Sequence, residues 1–517
     1  MSESVTEHAD CAPRYAQHAL IVGIAALVLA CGGGGAGAPC ANHGDCDDAY
    51  QCLAQVCSPR CDRNSDCGDG YQCESSGLCK IVNSELGDSC ASEWDCGLGQ
   101  SCTLDIADPN GDSQLASTCQ AQGEGGNVGS LCAQDEDCRN NLCTLGHCSQ
   151  VCAVREDCPE TSFCDSIPRI LQNTDWAYFD GCLPLTSTLT THLNLEKSGP
   201  TQNLRIPVPA SAESFSIVSK VDDSSHLVGV TRVVAPNSQL LFNNPESLED
   251  FLASPIRYAR SKEVSTLTFP SDGVQPIQHG VFDVKVEASL PPFGAGTATP
   301  DISVHYKLNK SRILDLTFYF ADLEDHPCEV QMGGAPITAE SAQNSEVFKE
   351  QYLAEITRIF EKAGIIVEPQ ATYQDISPKR PDLDGITSDA DLRKLFQTAT
   401  NEKGIAIFLV RSLPSDGVQT LGTSIPGPPR TPGTSSSGIA VSMDSLCYRS
   451  WESLARVTAH SIAGQMGLWN NRDPDGITDP IGDSDRSTEN LMYFGEFGGT
   501  ELSAGQSRVL GLYPGLR

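Results

Sequence analysis

Apolar and polar residues alternate with a period of two along three segments in the middle of the chain, at residues 204–208, 282–290 and 302–308. This period places apolar side chains on one face of a β-strand and polar side chains on the other. Breakers such as Pro291-Pro292 separate the segments, and no long amphipathic helix interrupts them. The pattern therefore predicts an all-β, antiparallel sandwich over residues 188–310, for which we expect a binding or spacer role.

Beyond residue 311 the pattern changes to strands that alternate with helices. The predicted strands cover residues 313–320, 365–367, 404–410 and 439–443, and the predicted helices cover residues 348–363, 391–399 and 451–468. Gly364 is expected to end the first of these helices, and Ser450 is a suitable N-cap for the last. Residues 311–517 are therefore predicted to form an α/β domain.

The N-terminus carries an uncharged, mostly apolar segment at residues 19–30. It is too short for a membrane span and is typical of the hydrophobic core of a signal peptide. The next residue is Cys31, and residues 28–31 (VLAC) resemble the bacterial lipobox, in which the cysteine is lipidated and becomes the mature N-terminus. We expect a lipoprotein signal peptide at 1–31, a flexible Gly-rich tether at 32–39, and a lipid anchor at the outer membrane or cell surface. Cleavage of an ordinary signal peptide, followed by secretion, is the alternative.

The chain has 24 cysteines, and twenty of them form five groups of four between residues 40 and 182. In every group five residues separate the first two cysteines, and an aspartate precedes the second. The groups are 40/46/52/57, 61/67/73/79, 90/96/102/119, 132/138/143/148 and 152/158/164/182. We expect disulfides within each group in an oxidising compartment, although the spacing leaves three pairings open. Because each unit is poor in large apolar residues, disulfides are expected to replace a hydrophobic core.

Zinc and calcium are the two candidate metals for these repeats. Zinc is disfavoured because the block has no Cys-x2-Cys pair. The repeated aspartate leaves calcium coordination open, but a turn aspartate that binds its own backbone is favoured. The block at 40–182 resembles the Dickkopf-like or EGF-like cysteine-rich repeats of bacterial surface lipoproteins.

The chain is strongly acidic, with 34 Lys and Arg against 67 Asp and Glu and a formal net charge of −33. This charge excludes nucleic acid and anionic membrane surfaces as partners bound by counterion release. The cysteine-rich block alone has 24 acidic and 6 basic residues, a net charge of −18. Contact with a membrane is therefore expected through the lipid anchor only.

The last predicted helix and the segment after it resemble the metzincin superfamily of zinc peptidases. The matching residues are 459–470 (AHSIAGQMGLWN), 490–493 (NLMY) and 502–506 (LSAGQ). The family motif His-Glu-x-x-His-x-x-Gly-x-x-His supplies three zinc ligands and a general base, and a methionine turn underlies the metal. The resemblance implies a metzincin-like fold over 311–517, with a mixed twisted sheet and a long active-site helix. It makes His460 the first ligand, Gly467 the turn residue and Met492 the methionine turn.

In this chain other residues replace the general base and two of the three metal ligands of the motif. Ser461 stands at the general base, Gly464 at the second ligand and Asn470 at the third. One imidazole does not hold zinc tightly, and without the carboxylate no motif residue takes the proton of the water. One of Asp473, Asp475 and Asp479 is a candidate third ligand, but the second ligand remains missing, so no cofactor is expected.

Cys328 and Cys447 are the two cysteines after residue 182, and we expect them to form a disulfide. Two functions stay open. The favoured one is a non-catalytic, exported surface lipoprotein that binds an unknown protein or surface ligand through a pseudoenzyme domain. The alternative is an active zinc-dependent metalloendopeptidase that uses His460 within an irregular ligand set.

Overall fold

The computed structural model of the chain describes residues 40, 46, 50–53, 56–59, 61, 71–73, 79–81, 84–97, 99–107, 114–171, 175–186, 188–193, 199–258, 260–271, 276–291, 294–377, 379–383, 385–401, 404–413, 422–424, 437–474 and 476–517. The predicted signal peptide, the lipidation site at Cys31 and the tether lie outside these residues. Within them, no helix has both the length and the apolar character needed to cross a membrane.

The disulfides of the cysteine-rich region follow one rule. In every bond that the structure describes, the first cysteine of a group pairs with the third or the second pairs with the fourth; Cys67, the second cysteine of its group, lies outside the described residues. The bonds are Cys40–Cys52, Cys46–Cys57, Cys61–Cys73, Cys90–Cys102, Cys96–Cys119, Cys132–Cys143, Cys138–Cys148, Cys152–Cys164 and Cys158–Cys182. The predicted disulfide-rich N-terminal region is confirmed, and the structure selects one of the three pairings that the spacing left open.

Each repeat contains an antiparallel hairpin. The strands are β1 (Tyr50–Leu53), β2 (Val56–Pro59), β3 (Tyr71–Cys73), β4 (Cys79–Ile81), β5 (Gln100–Ala107), β6 (Gln114–Ala121), β7 (Cys143–Thr144), β8 (His147–Cys148), β9 (Ser162–Ile170) and β10 (Trp176–Pro184). In all five hairpins the third and fourth cysteines of the group lie directly opposite each other. The hairpin therefore presents two sulfurs side by side to the two cysteines that precede it.

The repeated aspartate is a turn residue. In the last three repeats it ends a short 3-10 helix, at Glu93–Asp95, Asp135–Asp137 and Arg155–Asp157. Oδ2 of Asp157 accepts hydrogen bonds from the backbone N–H groups of Ala153 at 2.8 Å and Val154 at 3.0 Å. Asp95 and Asp137 accept the equivalent pair of bonds in their own repeats. The favoured interpretation of the aspartate is confirmed in these repeats.

The substitution Asp157→Ala is expected to lower the free energy of unfolding by about 1–2 kcal/mol, because two backbone donors lose their acceptor. Asp157→Asn keeps one acceptor oxygen and is expected to cost less than half of that. Chemical denaturation measures both. Asp180→Ala, at an exposed position of the same repeat, serves as the control with little expected effect; equal losses in all three variants would contradict the turn role.

The middle of the chain consists of two antiparallel sheets. One has the order β11-β20-β13-β17, and the other has the order β12-β18-β14-β15, with β16 paired to β14 and β19 to β18. The strands are β11 (Thr188–Leu193), β12 (Thr201–Val208), β13 (Ser214–Lys220), β14 (Leu227–Val234), β15 (Leu240–Asn243), β16 (Ser261–Lys262), β17 (Val264–Phe269), β18 (Gly280–Leu290), β19 (Gly294–Ala295) and β20 (Asp301–Lys307), and a short helix α1 (Leu248–Ala253) lies among them.

The two sheets pack face to face around an aromatic core. Phe215 from the first sheet and Phe282 from the second have ring centroids 4.9 Å apart. Buried residues of the later repeats, among them Leu142, Leu145 and Ile167, belong to the same core. The expectation that disulfides replace hydrophobic burial in every repeat is therefore wrong for the last three. Their apolar residues are too few for a core of their own but are buried against the sheets.

The C-terminal part contains a five-stranded sheet of order β24-β22-β25-β27-β26, in which β26 is antiparallel to β27 and the other pairs are parallel. The strands are β21 (Ile313–Leu314), β22 (Leu316–Phe320), β23 (Ile366–Val367), β24 (Thr372–Asp375), β25 (Ile405–Val410), β26 (Gly422–Ser424) and β27 (Ile439–Ser442). The α-helices are α2 (Ala339–Asn344), α3 (Ala354–Glu361), α4 (Asp389–Gln397), α5 (Trp451–Gln465) and α6 (Ala504–Gly511), with a π-helical segment at Phe348–Leu353 and 3-10 helices at Glu329–Met332, Pro381–Leu383 and Met443–Cys447.

Helices cover both faces of this sheet. Along β25, Ile405, Ile407 and Leu409 belong to a core that includes residues of α3 and α5, while the alternate residues belong to a core that includes residues of α4. Burial on both faces explains the continuous apolar run of this strand. The strand predicted at 313–320 is present as two strands, β21 and β22, which have different partners and are separated by Asp315. The carboxylate of Asp315 binds the guanidinium of Arg517 at 2.7 Å and 2.9 Å.

The C-terminal part packs against the two-sheet part. Ser214 Oγ donates to the Leu512 carbonyl at 2.5 Å, and Thr188 Oγ1 donates to the Pro514 carbonyl at 2.5 Å. On another side of the contact, the rings of Phe251 and Trp469 meet edge to face at 6.0 Å. This contact brings residues 255–271 opposite the end of α5.

Candidate functional site

Helix α5 carries the residues that the metzincin resemblance singled out. It begins after Ser450, whose side chain accepts a hydrogen bond from the Ser453 N–H, as expected for an N-cap. It ends at Gln465, three residues before the predicted end, because Gly467 adopts a left-handed conformation with φ of 112°. A side chain at this φ would strain the backbone, so a glycine is favoured at this turn.

The turn at Gly467 returns the chain toward the helix. The Asn471 N–H donates to the Met492 carbonyl at 3.0 Å, and the side chain of Asn470 hydrogen-bonds the ring of His460. Met492 is buried, with 1% of its surface exposed, and belongs to the same core as α5. The structure thus brings together three positions that are far apart in the sequence: the first-ligand, third-ligand and methionine-turn positions.

The ring of His460 is uncharged. Its Nδ1 lies 2.9 Å from the Leu491 carbonyl oxygen and donates to it. The pKa of His460 is lowered to about 4, mainly by burial and in smaller part by the positive charge of Arg456, while the hydrogen bonds to Leu491 and Asn470 oppose the shift. A neutral imidazole with its Nδ1 proton on a carbonyl attaches the helix to the methionine segment.

The other motif positions lie along the same helix. Ser461 is buried, with 4% of its surface exposed. Gly464, one turn after His460, lines a cavity together with Gln465. Asp473 accepts a hydrogen bond from Asn470 Nδ2 at 2.6 Å, so it contacts His460 only through that amide.

Zinc requires about three protein ligands in a catalytic site. In the part of the chain that the structure describes, the groups of three His, Cys, Asp or Glu donor atoms within 4.8 Å of one another are half-cystine sulfurs of the repeats. Those sulfurs are held in disulfides. Of the other third-ligand candidates, Asp479 accepts from the Ile481 N–H and from Gln506, and Asp475 lies outside the described residues. The donors around His460 do not fit a zinc ion.

Arg456, one turn before His460, is the residue that sequence reasoning missed. It is buried, with 6% of its surface exposed, and its guanidinium donates to four carbonyl oxygens of one loop. The acceptors are Leu491 at 2.8 Å, Tyr493 at 2.9 Å, Gly495 at 2.7 Å and Gly499 at 3.2 Å. Burial lowers the pKa of Arg456 to about 10, which leaves it charged at neutral pH. A lone cation on a largely apolar helix was the available signal, because a buried charge requires partners.

Leu491 joins these two side chains. Its carbonyl oxygen accepts from both Arg456 and His460. A Cβ at Gly498 would overlap the guanidinium of Arg456, so the loop approaches the helix closely there. His460 and Arg456 together fix the segment that contains Met492.

A second polar cluster lies beyond the carboxyl ends of β22 and β27. His326 is buried; its Nδ1 accepts from the Cys328 N–H at 3.1 Å, and its Nε2 lies 3.1 Å from Asp444 Oδ1. Burial lowers the pKa of His326, and the Asp444 carboxylate opposes that shift. Cys328 and Cys447 form a disulfide beside this pair, with Cα atoms 5.2 Å apart. The disulfide and the His326–Asp444 contact hold two loops together.

Comparison of the chain with known protein families and with curated proteins finds no match. The described residues around His460 supply hydrogen bonds between a helix and a loop, and neither a general base nor a set of metal ligands is found among them.

Proposed function

We propose that the chain is an exported surface protein, lipid-anchored through Cys31 at a bacterial envelope, that uses a catalytically inactive metzincin-like domain for binding. The observation that carries the proposal is the set of side chains around His460. The amide of Asn470 contacts its ring at the third-ligand position, and in the described part of the chain the only groups of three close donors are half-cystine sulfurs of the repeats. An active metzincin-like site would instead place further imidazoles around this ring and hold a metal with about three protein ligands.

Several features support the family resemblance. The sheet is parallel except for its edge strand β26, α5 packs against one face of the sheet, and the chain turns back at Gly467 toward Met492. The disulfides of the repeats are typical of exported or extracellular proteins. Together these features favour a domain that retains a metzincin-like fold but lacks the metal ligands and the general base.

The residues at and beside the motif favour a structural role over a catalytic one. Ser461 is a buried hydroxyl and not a carboxylate, so it does not take a proton from a water near neutral pH. Arg456 and His460 are engaged with the loop that would otherwise border a catalytic cleft. The domain is therefore proposed to present a fixed surface to a protein or surface ligand, with no cofactor.

Elemental analysis of the purified chain is expected to find much less than about one zinc ion per chain. The matched variant is the triple substitution Ser461→Glu, Gly464→His and Asn470→His, which restores the family motif. We expect this variant to bind about one zinc ion per chain, because the scaffold positions are retained.

Two results would contradict the proposal in different ways. Stoichiometric zinc in the wild-type chain, with hydrolysis of a peptide library that His460→Ala abolishes, would establish the active peptidase instead. Failure of a folded triple variant to bind zinc, with folding checked by circular dichroism, would argue against the metzincin-like geometry.

A further inference from the structure

A cavity of about 360 Å³ lies between the two-sheet part and the C-terminal part. Its walls are mostly apolar and include Leu267 on one side and Met466, Leu468, Ile481 and Val509 on the other. Cavities of this size with apolar walls and a few converging polar groups are typical of small-molecule sites. Gly464 and Gly467 of the motif border the cavity, but neither His460 nor Met492 lines it, so the cavity lies beside the His460 site and does not include that ring.

Three polar atoms at this cavity are buried and have no hydrogen-bond partner among the described residues. They are Gln465 Oε1, Thr266 Oγ1 and Arg257 Nε. Gln465 is the most telling, because only 3% of its surface is exposed and its Nε2 is already fixed by Ser437 Oγ at 3.2 Å. That bond orients the amide and leaves Oε1 as an acceptor for a donor that this part of the chain does not supply.

The charge at the cavity is positive. Arg257 and Arg260 both line it, and no described carboxylate lies within 4.0 Å of Arg257. Asp479, the acidic group that faces Arg257 at longer range, is buried and engaged by Gln506 and the Ile481 N–H. Arg260 donates to Ser289 Oγ at 2.7 Å. The site therefore favours an anionic group beside Arg257.

We propose that this cavity binds a small, mainly apolar carboxylic acid that also carries a hydrogen-bond donor. The carboxylate binds at Arg257, the donor binds Gln465 Oε1, and the apolar body fills the space between Leu267 and Val509. N-acylated hydrophobic amino acids carry all three features, whether as free molecules or as the C-terminal residue of a peptide. The inference rests on the proposed binding role and names the ligand class for it.

Isothermal titration calorimetry of the mature chain tests the proposal with N-acetyl-L-phenylalanine as the probe. N-acetyl-L-phenylalanine amide lacks the carboxylate and 3-phenylpropionate lacks the N–H donor, and each is expected to bind at least about tenfold more weakly. A tripeptide that ends in phenylalanine distinguishes the sources: binding as tight as that of the probe indicates a peptide C-terminus, and exclusion indicates a free acid.

Variants test the same contacts from the protein side. Arg257→Met and Gln465→Met are each expected to weaken the probe at least about tenfold, whereas Arg232→Met, at an exposed arginine of the same sheets, leaves it unchanged. Val509→Phe fills the cavity and is expected to abolish binding, which keeps the test decisive if Arg257→Met does not fold.

Equal binding of the acid and its amide, or unchanged affinity in a folded Val509→Phe variant, overturns the inference. If the wild-type chain holds no zinc and does not bind the probe, the cavity inference fails and the proposed binding role stands. If the wild-type chain holds zinc and cleaves peptides, the proposed function is wrong. The cavity inference then still stands if the probe binds the wild-type chain and Val509→Phe abolishes that binding.

Discussion

Removal of the Cys46–Cys57 disulfide is expected to unfold the first repeat, whereas removal of the Cys138–Cys148 disulfide is expected to weaken the fourth repeat without unfolding it. The two bonds are well matched, because they join residues 11 and 10 positions apart. Each bond contributes about 2–4 kcal/mol by restricting the unfolded chain. What differs is the packing around them.

In the first repeat the described core consists of cysteine side chains together with Tyr50. In the fourth repeat, Leu142 and Leu145 are 1% and 5% exposed and are buried in the core that the repeats share with the two sheets. Thr191 Oγ1 also donates to the Leu145 carbonyl at 2.6 Å. Burial of two leucines contributes about 3–6 kcal/mol, enough to offset the loss of one disulfide.

Hydrogen–deuterium exchange, followed by mass spectrometry, measures both outcomes in the variants C46S/C57S and C138S/C148S. Peptides that carry β1 and β2 are expected to exchange without protection in the first variant. Peptides that carry β7 and β8 are expected to keep slow exchange in the second. Equal loss of protection in both variants would mean that the shared core does not hold the fourth repeat.

Replacement of Arg456 by Met is expected to lower the free energy of unfolding by about 3–4 kcal/mol. The substitution keeps the apolar stem of the side chain but removes the donors to four carbonyl oxygens. A buried carbonyl without a donor costs about 1–3 kcal/mol, and water reaches some of the four once the guanidinium is gone. The segment around Met492 is expected to lose exchange protection at the same time.

Chemical denaturation of Arg456→Met and of the control Arg508→Met separates this effect from the loss of any positive charge. Arg508 is exposed on α6, so its replacement is expected to change stability by no more than about 0.5 kcal/mol. Arg456→Lys keeps the charge but has fewer donors, and it is expected to fall between the two. A loss below about 1 kcal/mol in Arg456→Met would show that the loop does not depend on the guanidinium.

Local signals predicted the elements of the C-terminal part well. The run at 404–410 is β25 (Ile405–Val410), Gly364 ends the helical stretch with φ of 69°, and Ser450 caps α5. These features depend on neighbours in sequence, so one segment is enough to reveal them. The break at Asp315 was missed because it depends on distant strands: β21 pairs with β23, whereas β22 pairs with β24 and β25.

Some features of the candidate site were also visible in the sequence, and others were not. Ser461, Gly464 and Asn470 were singled out by a resemblance to a sequence motif, and the chain turns at Gly467 as that resemblance implies. The role of Arg456 was not visible, because its acceptors are backbone carbonyls and no sequence pattern marks them. The cavity at Gln465 was also hidden, since its two walls come from residues about 200 positions apart.

Sequence patterns alone were enough to predict the disulfide-rich repeats, the turn role of their aspartates and the alternating strands of the middle part. These features are encoded by short spacings and by local hydrogen bonds. The cysteine pairing, the core that the later repeats share with the sheets, and the positions of the buried arginine and the cavity became visible in the folded chain. Those outcomes depend on long-range packing, in which side chains far apart in the chain compete for the same buried volume.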